Sequence, residues 1–259
     1  MLLELQYFPG DGGGYFGLPF DRTTPPIVLY TDGEFFIERD DWYLETTLSS
    51  AQMCTLLQQI ANTGFFKVPG TGALGRDDPI YNFAATRELI EGASGQGIQV
   101  NGNPAKFVGI YSPYKDHVIG PIKAVLRLLN NYRPAGLKPY KPNRLLMVVD
   151  EGRSLFDELQ PYHANQPTAT PQVQVWPAQL PPLADLWGGI TYHQVFIQGD
   201  LIEPLLNLNL PKHIGVFTDR GQEYSLIMRP LLPDETLDPS DYGYSSGAAQ
   251  FDLPFQCAY

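Results

Sequence analysis

The chain has 259 residues, enough to bury a sizeable core as one large domain or two small ones. At 43% hydrophobic and only 17% charged it is too apolar to remain disordered, and its 25 Gly and 24 Pro exclude a coiled coil. The formal net charge is −11 and the basic residues are scattered, which excludes a nucleic-acid surface built on Lys/Arg clusters.

Residues 2–8 alternate apolar and polar side chains and predict a strand. A Gly/Pro loop with aromatics at Tyr15, Phe16 and Phe20 covers 9–26. Residues 27–30 and 34–38 flank Thr31-Asp32-Gly33, and Asp-Gly between two apolar runs is a strong hairpin signal. A third strand is expected over 42–47. Ser49-Ser50-Ala51-Gln52 has capping-box spacing. Met53, Leu56, Leu57 and Ile60 then share one helical face and Gly64 sits where a helix stops, so a helix is expected over about 50–63. Phe65-Phe66-Lys67-Val68 reads as a short apolar return, and 69–80 as loop. Strand patterns follow over 80–90 and 96–111, the second turning at Asn101-Gly102-Asn103. Pro121 fits the first turn of a second helix with the stripe Ile122, Val125, Leu126 and Leu129.

Residues 133–143 carry three prolines and no periodicity, and mark the candidate boundary. Residues 144–149 read as a buried strand, 160–185 as a polar, Pro-rich stretch, and 191–198 alternate. Asp200-Leu201-Ile202-Glu203 has cap spacing for a short helix to about 209, with Pro204 in its first turn. Residues 213–218 and 222–229 predict a second hairpin around Asp219-Arg220-Gly221. The expected fold is α+β: antiparallel sheets, about three helices and long Gly/Pro/aromatic loops. Two similar subdomains are expected over 1–133 and 134–235, followed by an aromatic-rich tail over 236–259. Charge is uneven, with 14 Lys/Arg and 16 Asp/Glu in residues 1–153 against 3 and 12 in residues 154–259. The acidic C-terminal part reads either as a solvated surface or as affinity for cations or a basic partner.

Motifs for chemistry are sparse. Gly70-Thr71-Gly72-Ala73-Leu74-Gly75 matches a dinucleotide fingerprint in letters only, because the turn Arg76-Asp77-Asp78-Pro79 follows where a helix should start. No nucleophile elbow, P-loop or H-E-x-x-H motif is present. His117, His163, His193 and His213 lack ligand spacing, and His193 falls in a strand pattern. The adjacent carboxylates Asp40-Asp41, Asp77-Asp78, Asp150-Glu151 and Asp234-Glu235 read as solvated turn residues, since neighbours on a strand face opposite ways. The Asp238-Pro239-Ser240-Asp241 run lacks the full spacing of a calcium loop. No cofactor or metal is therefore expected. Cys54 and Cys257 are too few for a zinc or iron–sulfur site, and are either one disulfide or two thiols.

The loop aromatics Trp176 and Trp187 either stack on a ligand or peg their loops to the core. The tail aromatics Tyr242, Tyr244, Phe251, Phe255 and Tyr259 are candidates for docking onto a protein neighbour. No apolar run reaches the roughly 18 residues of a membrane span, so no transmembrane segment is expected. The start at Met1 is too short and too soon polar for a signal peptide, and has the look of a chain whose leader was replaced by a start codon.

The run Pro26-Ile27-Val28-Leu29-Tyr30-Thr31-Asp32-Gly33, then Leu48-Ser49 opening a helix, then Gly64-Phe65-Phe66, resembles a class of uncharacterised bacterial cell-envelope proteins, many of them lipoproteins. Their mature domain begins with a Leu-rich strand like Leu2-Leu3-Glu4-Leu5-Gln6-Tyr7, and similar proteins carry a late segment like Leu226-Ile227-Met228-Arg229-Pro230-Leu231-Leu232-Pro233-Asp234-Glu235. The chain departs from that class in lacking a leader and a lipidated cysteine. The resemblance implies an extracellular or cell-envelope location, and brings no catalytic residues. The expected function is non-catalytic, through a protein partner or self-assembly. The alternatives are a hydrolase on glycan or peptide with a site assembled from distant residues, and a carbohydrate-binding module using Trp176 and Trp187.

Overall fold

In the computed structural model the described residues are 1–8, 25–39, 42–68, 95–111, 118–153, 155, 172–189, 193–208, 210, 214–233, 235, 252, 253 and 257. They fall into two units, Met1–Tyr140 with Tyr242–Tyr259, and Lys141–Asp241. The architecture is α+β, dominated by strands.

The first unit holds β1 (Leu3–Phe8), β2 (Ile27–Leu29), β3 (Glu34–Arg39), β4 (Trp42–Thr47), β5 (Gly95–Val100), β6 (Lys106–Tyr111) and β7 (Lys138–Pro139). They form one antiparallel sheet in the order β6-β5-β1-β2-β3-β4-β7. The hairpin between β2 and β3 turns where Asp-Gly is placed. Gly33 has φ +96°, and the Tyr30 N–H donates to the Glu34 carbonyl at 2.8 Å. A side chain at Gly33 would also meet the Leu48 carbonyl, since a Cβ there would lie 2.2 Å from that oxygen.

Helices α1 (Ser50–Asn62) and α2 (Gly120–Asn131) belong to the same unit. A full capping box opens α1. Gln52 N–H donates to Ser49 Oγ, and Ser49 N–H donates to Gln52 Oε1 at 2.8 Å. Its buried face is Met53, Leu56, Leu57 and Ile60, and that of α2 is Ile122, Val125 and Leu129. These faces join Leu3, Leu5, Ile27, Leu29, Phe35 and Ile37 in one core. Each such fully buried aliphatic side chain contributes about 1.5–3 kcal/mol of transfer free energy. On the other face of β3, Phe36 packs edge-on against Tyr30 at 5.8 Å and Tyr140 at 4.9 Å.

The second unit holds β8 (Arg144–Glu151), β9 (Gln174–Val175), β10 (His193–Gln198), β11 (Ile214–Asp219) and β12 (Gln222–Pro230), in the order β10-β8-β12-β11-β9. All pairs are antiparallel except β9 with β11. Among the described residues it also holds the five-residue helices α3 (Leu183–Trp187) and α4 (Ile202–Leu206). The hairpin β11–β12 leaves only Arg220 (φ 51°) and Gly221 (φ 84°) in its loop, both left-handed as a type I′ turn requires. Asp219 also accepts the Leu183 N–H at 2.8 Å and so ties α3 to this turn. Leu145, Met147, Val149, Phe217, Leu226 and Met228 build the core of the unit.

Several expectations shift. The division lies after Tyr140 rather than at 133, because Lys138–Pro139 pair with Glu45 and Leu44 of β4. Residues 242–259 group with the first unit. The two sheets differ in strand number and order, so the expected similarity of the halves is limited to a hairpin in each. The apolar return at 65–68 takes the form of a 3-10 turn, Phe65–Lys67, with Phe65 and Val68 in the core. Asp200 does not cap α4; it lies in a 3-10 turn, Gly199–Leu201, and the helix runs only to Leu206. Asp150 is buried, 5% exposed, rather than a solvated turn residue, while Glu151 faces solvent. The expected strand over 80–90, the glycine run 70–75 and the Asp238 loop lie outside the described residues.

Candidate association surface

A sheet ends in strands whose outer N–H and C=O groups can template another strand, and proteins normally blunt such edges. The first sheet ends at β7, two residues long, with Pro139 lacking an N–H and Lys138 in a 3.3 Å ion pair with Glu45. Its other end, β6, opens with Lys106, whose ammonium donates to the Val68 carbonyl; burial pushes the Lys106 pKa down. The second sheet ends at β9, only two residues long. The remaining end is β10, six residues with no Asp, Glu, Lys, Arg or Pro.

β10 pairs with β8 on one side, from His193 opposite Val149 to Gln198 opposite Arg144. Ile197 is buried in the core of its unit, and Val195 packs partly against it. Alternation sends Gln194, Phe196 and Gln198 to the opposite face. Phe196 is 49% exposed, one of two large apolar side chains so exposed among the described residues, the other being Val175 on β9. Sequence reasoning read 191–198 as a strand and did not read it as an edge. The signal was present, in a strand pattern with no charge between Asp185 and Asp200 inside the acidic part of the chain.

The sequence-selected residues fall in three places. Cys54, on α1, forms a disulfide with Cys257. Leu253 and Cys257 pack against the first core, so at these two residues the C-terminal segment meets its own unit. The candidate docking residues Tyr242, Tyr244, Phe251, Phe255 and Tyr259 lie outside the described residues. Trp176 is 4% exposed, stacks edge-on against Phe217 at 5.1 Å and donates its indole N–H to the Pro181 carbonyl at 2.8 Å. That face is closed to a sugar ring. Trp187 is half-buried beside Tyr224, with ring centres 6.3 Å apart.

The second sheet also carries a buried polar row. Asp150 lies opposite Ser225, and Arg229, 6% exposed, pairs with Glu235. Glu235 accepts the Leu232 N–H as well, at 3.2 Å, so one carboxylate serves two buried donors. Among the described residues no three His, Cys, Asp or Glu side chains gather as a metal-binding group, and no helix is long and apolar enough to cross a membrane. Comparison with known protein families, with curated proteins and with solved structures gives no match. The likeness to envelope proteins gains no support from it.

Proposed function

We propose that this chain is a non-catalytic extracellular or cell-envelope protein that works by protein association, self-association first. The observation that carries the reading is β10, a long, uncharged sheet edge with a half-exposed phenylalanine where the other sheet ends are short or carry a lysine. The Cys54–Cys257 disulfide supports an oxidising compartment, since disulfides persist there and are rare in reducing cytosol. The scarcity of catalytic motifs and the envelope-protein resemblance point the same way. Light scattering on the oxidised full chain across a concentration series, with electron microscopy of the same sample, tests the reading. A mass rising above the 28.9 kDa of one chain is expected. A mass fixed at one chain at every concentration contradicts self-association.

A further inference from the structure

We infer that the partner of β10 is β10 of a second copy, joined antiparallel about a two-fold axis centred on Phe196. This rests on the association reading above and names its surface. A two-fold contact must be self-complementary, each residue meeting its counterpart reflected through the axis. The segment Gln194-Val195-Phe196-Ile197-Gln198 has that property. In the register centred on Phe196, Phe196 faces its twin, Val195 faces Ile197, and Gln194 faces Gln198. Apolar meets apolar and amide meets amide at every step. Val195 and Ile197 lie on the core side of the sheet, so the pairing extends the apolar layer of one copy into the next. Phe196, half-exposed in the single chain, gains an aromatic partner directly across the strand pair.

Charge favours the same occupant. The unit Lys141–Asp241 carries 6 Lys/Arg against 13 Asp/Glu, so two copies repel over most of their surface. From 186 to 199 there is no Asp, Glu, Lys or Arg. This uncharged window is where two acidic units approach at least cost, and it offers nothing to recruit a basic partner. Self-pairing therefore tightens as salt screens the repulsion, whereas a basic partner's binding weakens.

Sedimentation equilibrium of the full chain, from about 10 μM to 1 mM to cover a contact smaller than a standard interface, decides it. Wild type is expected to dimerise, more tightly at high salt. Phe196→Lys places like charges across the axis at an exposed position and is expected to weaken dimerisation by about tenfold or more. Gln194→Lys with Gln198→Lys is expected to do the same. Gln194→Lys with Gln198→Glu pairs opposite charges in this register and is expected to dimerise at least as well as wild type. Unchanged thermal unfolding shows that each variant folds. A wild type that associates equally in all three variants overturns β10 pairing and leaves self-association standing. Equal loss in both double variants overturns the register on which the inference rests. A wild type that stays monomeric overturns both, and leaves the edge to a different protein.

Discussion

The first sheet is finished at β7 by Lys138 and Pro139, and its C-terminal segment is bonded to α1 through Cys54 and Cys257. The second sheet is finished at β9 by two residues and at β10 by six uncharged ones with Phe196 exposed. Among the described residues, the first unit packs one face of each of two helices, of 13 and 12 residues, into its core. Among the described residues, the first unit has a capped, cross-linked core, and the second sheet ends in β10, paired with β8. Under the proposed reading, structural robustness and association fall on different parts of one chain.

The largest test of this division is the disulfide. It spans 203 residues, for which the chain-entropy account gives about 5 kcal/mol and measured cases give about 2–5 kcal/mol. Reduction, or Cys54→Ser, is expected to lower the unfolding temperature of the first unit. Calorimetry that resolves two transitions should show one of them moving and the other staying. In the second unit, Glu235→Ala strands the buried Arg229 guanidinium and the Leu232 N–H, and is expected to cost about 3 kcal/mol by urea titration. The two hairpin turns sharpen the contrast. Gly33→Ala forces a Cβ to 2.2 Å from the Leu48 oxygen at φ +96°, with an expected loss of about 2 kcal/mol or more. Gly221→Ala shares the left-handed backbone but meets nothing within 4 Å, so its expected loss is about 1 kcal/mol.

The smallest effect concerns Glu34. Partial burial, then Asp32 and Glu45, raise its pKa above the ordinary carboxylate value. The folded state therefore holds the proton more tightly than the unfolded chain, and stability falls as pH rises through that range. Glu34→Gln is expected to be slightly more stable than wild type at pH 7. The advantage should vanish below about pH 4, where Glu34 is protonated in both states. Denaturant midpoints at the two pH values check it.

The parts of the fold set by local chemistry were readable from the sequence. The Asp32-Gly33 turn, the Ser49–Gln52 capping box and the stripe from Met53 to Ile60 each depend on residues within a few positions of one another. The Arg220-Gly221 turn is of the same kind. What depended on distant partners was not readable. Lys138–Pro139 looks like linker until β4 lies beside it. Asp150 looks like surface until Ser225 stands opposite. Trp176 looks like a loop ligand until Phe217 and the Pro181 carbonyl enclose it. The proposed association surface was half readable. The 191–198 alternation gives a strand, but only the place of β10 at the end of the sheet of described strands, beside β8, makes it an edge.

Amide hydrogen exchange of the wild-type full chain, followed residue by residue at low and at high protein concentration, tests the central claim most directly. Slower exchange confined to the 194–198 amides as concentration rises is the expected result. Exchange of those amides at the same rate at both concentrations, while the protein is associated, contradicts it.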